Sequence, residues 1–131
     1  LEDYNIKIDD DYILGGKYTL ENGYDNMKKL IELEDRPTAV FCANDDIAVG
    51  AIKAVFESGL SVPDDISIIG FDNSNFCDYV TPTLTSVKKD SLVMSEMGGT
   101  YLLDIINKKN VDKNKIFIES YLVERDSVKR L

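Results

Sequence analysis

The hydrophobic and polar positions of this chain follow two alternating patterns, which predict strands and helices in turn. Two short and nearly continuous apolar runs, residues 39–43 and 66–71, predict strands that are covered on both faces. Between them, apolar residues recur every three or four positions over residues 47–58, which predicts an amphipathic helix that ends at a left-handed cap, Gly59. A strand, a helix and a strand with short connections indicate a right-handed βαβ unit and therefore a parallel sheet.

Two further strands and two further helices flank this unit. In chain order they are predicted as a strand at residues 12–14, a helix at 20–34, a helix at 91–108 and a strand at 115–124. Thr19 and Asp90 precede the two helices, and their side-chain oxygens can accept the backbone N–H groups that a helix start leaves unpaired. The predicted fold class is α/β, a three-layer open and mainly parallel sheet with helices on both faces.

Three local features carry predictions of their own. Gly98 and Gly99 lie in the middle of a predicted helix, where each glycine costs about 1 kcal/mol relative to alanine, so we expect close packing against another backbone there. Cys42 lies in an apolar strand and is expected to be a buried small hydrophobe. Residues 125–131 are charged and are predicted to fray.

The composition limits the possible classes of protein. With 131 residues, 44% of them hydrophobic and 30% charged, the chain is typical of one soluble globular domain or part of a larger one. Its net charge of -9 repels phosphate backbones, so this chain alone is expected to be a poor nucleic-acid binder. No apolar run approaches the roughly 20 residues of a membrane span. Two cysteines are too few for a disulfide framework, which favours a reducing compartment. The chain begins with Leu1 rather than Met, so we expect a fragment.

Little in the sequence supports catalysis. The chain contains no histidine, which removes the commonest general base and the commonest neutral metal ligand. It also lacks the glycine-rich phosphate loops and the nucleophile elbow. Asp45 and Asp72 could act as an acid and a base, but no electrophile, metal or oxyanion feature accompanies them. We therefore expect no enzyme activity, no catalytic residue, no cofactor and no metal.

Polar residues follow three predicted strands at the point where each strand ends. Tyr18 comes after the first strand, Asn44 after the second and Asp72 after the third. Because the carboxyl ends of parallel strands meet at one edge of a sheet, we expect these side chains to lie side by side. An Asp accepts hydroxyl donors, an Asn both donates and accepts, and an aromatic ring offers an apolar plate. The sequence therefore predicts a binding site for a polyhydroxylated small molecule.

Each of these residues also has a simpler structural interpretation. Asn44 or Asp45 could serve only as the N-cap of the following helix. Asp72 and Asn73 could form a turn in which the side chains bond their own backbone, and Tyr18 could be an ordinary half-buried aromatic residue. Both interpretations stay open at this point.

Motifs spread along the chain resemble the effector-binding region of bacterial transcription regulators of the LacI/GalR family. The segments that carry the resemblance are NGY at residues 22–24, RPTAVFCANDDIAVGAIKAVFESGL at 36–60, VPDDIS at 62–67, GFD at 70–72, TPTLTSV at 81–87 and LVERDS at 122–127. The resemblance implies a periplasmic-binding-protein-like fold of two α/β lobes with an effector in the cleft. In that family, the positions that match Tyr18, Asn44 and Asp72 line the effector pocket.

The resemblance also implies a domain organisation. Residues 1–131 would form a single, incomplete effector-binding domain. Within it, residues 12–87 would be the core of the C-terminal lobe, and residues 88–131 would supply a helix and a strand that contact the missing lobe. The apolar face of that helix must then pack elsewhere, for example on another copy of the chain.

In function, the resemblance implies a cytoplasmic regulator that senses a small-molecule effector. Asn44 suits a sugar better than a purine as that effector. A homodimer is expected through the helix at 47–58 and the region near Tyr79, with operator DNA bound only through an N-terminal domain outside these residues and with no membrane contact. The alternative is a solute-binding protein of a sugar ABC importer, which shares the fold and the pocket positions. The motifs at 62–67 and 81–85 favour the regulator.

Overall fold

A four-stranded sheet organises the fold. The structure is a computed structural model and describes residues 9–109 and 116–129. Its regular elements, in chain order, are helix α1 (Leu20–Ile31), strand β1 (Ala39–Phe41), helix α2 (Asp45–Glu57), strand β2 (Ser67–Phe71), strand β3 (Ser86–Lys89), helix α3 (Ser91–Ile106) and strand β4 (Ser120–Val123). Two short 3-10 turns, Asp10–Tyr12 and Asn75–Asp78, complete the regular structure of these residues.

The strands lie in the order β1-β2-β3-β4. β1 pairs with β2 and β2 pairs with β3, both in parallel, whereas β4 runs antiparallel to β3. The predicted α/β class with a mainly parallel sheet is confirmed. Parallel pairing also brings the carboxyl ends of β1, β2 and β3 to one edge of the sheet. We call this edge, residues 41–44, 71–74 and 89–90, the rim.

Helices α1 and α2 pack against each other at very close range. A Cβ atom at Gly23 would overlap the backbone of Ile47, and one at Gly50 would overlap the backbone of Leu20. Each contact joins the N-terminal halves of the two helices, so α1 and α2 begin near the same place. Because α2 follows β1 directly, α1 also begins beside the rim.

The core lies where α1 and α2 meet and where α2 packs on β2. Its buried apolar side chains include Met27, Leu30, Cys42, Ala48, Ala51, Ile52, Val55, Ile66, Ile68 and Leu84. Burial of these side chains supplies the hydrophobic free energy that holds the helices on the sheet. The prediction that Cys42 is a buried small hydrophobe is confirmed, since only 3% of the residue is exposed.

Helix ends agree well with their predicted caps. Thr19 accepts a hydrogen bond from the N–H of Asn22, and Asp90 accepts one from the N–H of Val93. Gly59 has a φ of +77°, the left-handed conformation expected of a C-terminal glycine. Of the two candidates for the cap of α2, Asn44 fills the position.

Most elements are shorter than the sequence pattern indicated, whereas α2 begins two residues earlier and ends one residue earlier than the predicted helix at 47–58. α1 ends at Ile31 rather than at residue 34, and β1 ends at Phe41 rather than at residue 43. α3 ends at Ile106, two residues before the predicted end. The predicted strand at 115–124 is present as β4, Ser120–Val123, although its first predicted position, residue 115, lies outside the described residues.

The predicted strand at residues 12–14 is wrong. Residues 10–12 form a 3-10 turn, in which Asp9 accepts a hydrogen bond from the N–H of Asp11, and residues 13–17 have no regular secondary structure. The Tyr12 hydroxyl donates to the Asp35 carbonyl, which holds the segment at the end of α1. The local acidic run therefore folds on itself, and none of the described strands pairs with it.

The prediction that residues 125–131 fray is wrong for the residues that the structure describes. Ser127 is fully buried, and its hydroxyl donates to the Ile68 carbonyl at 2.6 Å while it accepts the N–H of Thr85 at 2.9 Å. The Ile68 N–H in turn donates to the Ser127 carbonyl at 2.8 Å. This segment therefore bridges β2 to the start of β3. The prediction failed because it rested on the charged residues of the segment and did not consider the buried hydroxyl of Ser127.

Helix α3 differs from the other two helices because none of its residues is buried. Its exposed apolar side chains are Leu92, Val93, Met94, Met97, Leu102, Leu103, Ile105 and Ile106. Cβ atoms at Gly98 and Gly99 would meet no atom within 4 Å, so the expected close packing there has no partner among the described residues. Among those residues, no helix is long and apolar enough to cross a membrane.

Candidate ligand-binding site

Three polar residues stand at the rim, one at the end of each parallel strand. Asn44 follows β1, Asp72 follows β2, and Lys89 is the last residue of β3. The register of the sheet aligns Phe71 with Val87, and the N–H of Asp72 donates to the Val87 carbonyl at 2.9 Å. The sheet therefore places Asp72 next to the end of β3.

Asn44 combines a structural role with free bonding capacity. Its Oδ1 accepts the N–H of Ile47 at 2.9 Å and so caps α2. Its amide nitrogen carries two further donors, and within the described part of the chain no hydrogen bond from that nitrogen is found. The capping interpretation of Asn44 is thus confirmed, and it leaves the amide nitrogen able to donate to a ligand.

Asp72 has an unusual backbone conformation and one strong partner. Its φ of 102° lies in a region that residues other than glycine rarely adopt, and Asn73 follows with a φ of 52°. Its carboxylate lies 2.6 Å from the Lys89 ammonium, and its side chain is 41% exposed. Backbone strain of this kind persists only where the surroundings fix it, and it concentrates at functional sites.

A hydrogen-bonded network holds the turn that carries Asp72. Asp45, only 1% exposed, accepts the N–H of Ser74 and the hydroxyl of Ser86, each at 2.6 Å. The Ser86 hydroxyl also accepts the N–H of Asn73 at 3.0 Å. A Cβ on Gly70 would overlap the Asp45 carboxylate, so glycine at this position leaves room for it. α2 and β3 thus fix residues 73 and 74 directly after Asp72.

Arg125 holds the same turn from its other side. Its guanidinium donates to the Asn73 side chain at 3.0 Å, to the Leu84 carbonyl at 2.8 Å and to the Asp78 carboxylate at 2.6 Å. The Arg125 side chain is only 11% exposed, so its charge-assisted bonds to Asn73 and Leu84 are shielded from water, whereas Asp78 is 65% exposed. Residues 73–78 therefore connect to the C-terminal segment as well as to α2.

Tyr18 does not stand at a strand end. It is 67% exposed and immediately precedes Thr19, the N-cap of α1. Together with Asn22, Ala43 and Ile47, it lines a cavity of about 260 Å³ between residues 12–18, α1 and β1. Neither Asn44 nor Asp72 lines this cavity. The structure thus brings Asn44 and Asp72 to one rim and brings Tyr18 beside it, at the paired helix starts.

Burial suppresses the reactivity of both cysteines. Desolvation, with a smaller contribution from the nearby Asp45 carboxylate, raises the pKa of Cys42 to about 12. The pKa of Cys77 is raised to about 12 by desolvation, by the charge of the Asp45 carboxylate and by a hydrogen bond to that carboxylate. Both thiols stay protonated at neutral pH, so neither can serve as a nucleophile or as a thiolate ligand. Among the described residues, no group of three or more His, Cys, Asp or Glu side chains could hold a metal ion.

Sequence reasoning missed Lys89 and Arg125 as parts of this site. It placed Asp45 at the same strand end as Asn44, where a ligand would be held, but the structure buries this carboxylate, which supports the turn after Asp72 instead of facing a ligand. The sequence signal for Lys89 was weaker, because it consisted only of a lysine at the end of a strand. Arg125 belongs to a segment that resembles a family motif, but no local sequence pattern indicated its role. Its partners lie some 40 to 50 residues away in the chain.

The chain is similar to known regulators over almost its whole length. Residues 1–128 match the family of periplasmic binding protein-like domains. The probable HTH-type transcriptional repressor ExuR of Bacillus subtilis (strain 168) is 44% identical over 128 residues, which are 98% of this chain and 38% of that protein. The chain therefore spans well under half the length of this relative.

Solved structures give the same result. A sugar-binding transcriptional regulator of the LacI family from Escherichia coli, complexed with phosphate, superimposes with a TM-score of 0.83 at 31% identity, over 97% of this chain and 45% of that one. A LacI-family regulator from Enterococcus faecalis V583 with bound ribose gives a TM-score of 0.78 at 30% identity, over 90% of this chain and 43% of that one. The chain belongs to the family of periplasmic binding protein-like domains, in the form that LacI-family transcription regulators carry.

Proposed function

We propose that this chain is part of the effector-sensing region of a LacI-type transcription regulator, and that the effector is a sugar-like small molecule held by Tyr18, Asn44 and Asp72. The observation that carries the proposal is the rim, where Asn44 and Asp72 end adjacent parallel strands, the position at which open α/β sheets bind ligands. The repressor and regulators named above support the regulatory role. The neighbour with bound ribose supports a sugar as the effector.

The chemistry of the three side chains suits a polyhydroxylated ligand. The Asp72 carboxylate accepts hydroxyl donors, and the Asn44 amide nitrogen donates to hydroxyl or ring oxygens. Tyr18, exposed beside the rim, offers an aromatic plate for the carbon face of a sugar ring. A purine would leave the carboxylate with fewer donors to accept, which is the reason to favour a sugar.

The effector would act by shifting the equilibrium between two lobe arrangements. Residues 12–87 form the core of one lobe, and residues 88–131 supply α3 and β4 to the contact with the other. The support for this division is α3 itself, which is apolar, buries none of its residues and carries two glycines with open space around them. An effector that binds one arrangement more tightly changes the affinity for operator DNA by the same coupling free energy.

The rest of the regulator follows from the same assignment. Operator DNA is bound by an N-terminal domain outside these residues, since a chain of net charge -9 repels DNA. The regulator acts in the cytoplasm, where the operator is. It forms a homodimer, for which Tyr79, 86% exposed, and Phe56, 45% exposed on α2, are candidate contacts.

The proposal is tested on the full-length protein that contains this chain. Its thermal midpoint is measured against a panel of sugars and nucleosides, because a ligand that binds only the folded state raises the midpoint. The expected result is stabilisation by at least one sugar, lost in Asp72→Ala, together with a change in operator binding at the same sugar concentration. Stabilisation by purines or nucleosides and by none of the sugars would refute the sugar assignment, and turnover of a stabilising compound would refute the binding role.

A further inference from the structure

Lys89 forms an ion pair with Asp72 at the rim. Its ammonium lies 2.6 Å from the Asp72 carboxylate and 5.2 Å from the centre of the Phe71 ring. Its side chain is only 35% exposed, in contrast to an ordinary surface lysine that extends into water. The ion pair and the ring contact together fix the position of the ammonium at the rim.

The pair retains unused bonding capacity. The Lys89 ammonium has three donors and forms an ion pair with Asp72 Oδ1. Within the described part of the chain, Lys89 is the only partner found for the Asp72 carboxylate, so the second carboxylate oxygen still accepts. The rim therefore presents a donor and an acceptor directly side by side.

Two adjacent hydroxyl groups match this arrangement. One hydroxyl donates to the free oxygen of Asp72, and its neighbour accepts from the Lys89 ammonium. A hydroxyl can do either, because it carries one donor and two acceptor lone pairs. A single hydroxyl, or a flat base without hydroxyls, would satisfy only half of the pair.

Charge at the rim disfavours an acidic ligand. The ammonium of Lys89 is already neutralised by Asp72 at 2.6 Å, so a ligand carboxylate would compete with Asp72 for it. Asp46 in the first turn of α2 and Asp90 at the cap of α3 add further negative charge near the same edge. A neutral sugar meets no such repulsion.

We propose that Lys89 is a specificity-determining residue which, paired with Asp72, recognises two adjacent hydroxyls of a neutral sugar. This inference rests on the proposed function and specifies which groups of the ligand the rim recognises. Lys88 provides a matched control. It is the neighbouring lysine on the same strand, its side chain is exposed, and its ammonium lies 5.9 Å from the Tyr121 ring, away from Asp72.

The test uses the full-length protein and isothermal titration calorimetry. The probes are D-glucose, D-galactose, D-ribose and cellobiose, the acids D-glucuronate and D-galacturonate, and single-deoxy analogues of the sugar that binds best. We expect a neutral sugar to bind more tightly than its acid. Lys89→Met should weaken that binding about tenfold or more, the effect of losing a bond to a charged group, while Lys88→Met should change it by less than about twofold.

The deoxy analogues show whether the protein recognises two adjacent hydroxyls of the sugar. In the unaltered protein, removal of either of two neighbouring hydroxyls should weaken binding. In Lys89→Met, removal of one of them should have no additional effect, because its partner is already gone. The thermal midpoints of the ligand-free variants show that each one is folded.

Three results would overturn the inference. In the first, an acid binds more tightly than its neutral sugar and Lys89→Met abolishes that preference. Lys89 then recognises an anionic group, and the proposed binding of a sugar-like effector is not affected. In the second, Lys89→Met binds the sugar with unchanged affinity. Lys89 then makes no contact with the ligand, and the proposed sugar binding is again not affected. Failure of every sugar and acid to bind refutes the sugar assignment together with the inference.

Discussion

The backbone N–H of Ser74 donates to the buried carboxylate of Asp45 at 2.6 Å, which ties the start of α2 to the turn after β2. The two residues are 29 positions apart in sequence. Asp45 directly follows Asn44, and Ser74 lies two residues after Asp72. This one bond therefore helps to set the spacing between the two candidate ligand-binding residues at the rim.

Loss of the Asp45 carboxylate should destabilise the protein strongly. Asp45→Ala removes the acceptor of two hydrogen bonds and leaves the Ser74 N–H and the Ser86 hydroxyl without it in a buried place. We expect the free energy of unfolding to fall by about 3 kcal/mol, measured by urea denaturation of the full-length protein. Asp46→Ala is the control, because Asp46 is only half-buried and contributes mainly through the helix dipole, worth about 0.5 kcal/mol. Equal effects from the two substitutions would contradict the role given to Asp45.

The buried hydroxyl of Ser127 should matter more than its place near the chain end suggests. Ser127→Ala removes the bond to the Ile68 carbonyl and the acceptor for the Thr85 N–H. We expect a loss of about 2 kcal/mol in the free energy of unfolding, read from the same denaturation curves. Ser120→Ala, at an exposed position of β4, should change it by less than about 0.5 kcal/mol. A stability of Ser127→Ala within error of the unaltered protein would show that the segment is free to fray.

The sequence carried enough information to place six of the seven predicted elements and to put two of the three predicted site residues at strand ends, but it did not predict strand β3. Asn44 and Asp72 stand at adjacent strand ends because apolar runs of β1 and β2 fix where each strand stops, and this signal is local. Tyr18 was given a strand end that does not exist, since the short apolar run at 12–14 has none of the described strands beside it. Lys89 and Arg125 could not be assigned, because their roles depend on pairings between distant segments.

Both cysteines should resist thiol reagents in the folded protein. Burial raises the pKa of Cys42 and of Cys77 to about 12, from an ordinary value of 9.0. At pH 8 the thiolate fraction of each is on the order of one in ten thousand, so we expect slow reaction with DTNB until urea unfolds the chain. Rapid labelling of both thiols without denaturant would contradict their burial.

The same shifts predict how stability depends on alkaline pH. A folded-state pKa above the unfolded value means that the folded protein holds its proton more tightly. The contribution is fully present below pH 9 and is lost as the pH rises from about 9 to about 12. The free energy of unfolding should therefore fall over this range, and fall less steeply in a Cys42→Ala, Cys77→Ala variant.

Gly98 in α3 gives a test of the lobe contact that does not depend on any ligand. In an exposed helix interior, Gly98→Ala should stabilise by about 1 kcal/mol, because alanine has the higher helix propensity. No atom lies within 4 Å of a Cβ at this position among the described residues. If α3 packs on the other lobe with a backbone close to the glycine pair, the added methyl instead overpacks that contact and destabilises by about 1 to 3 kcal/mol. We expect destabilisation of the full-length protein, measured by urea denaturation. Stabilisation by about 1 kcal/mol would mean that this face of α3 stays open to solvent.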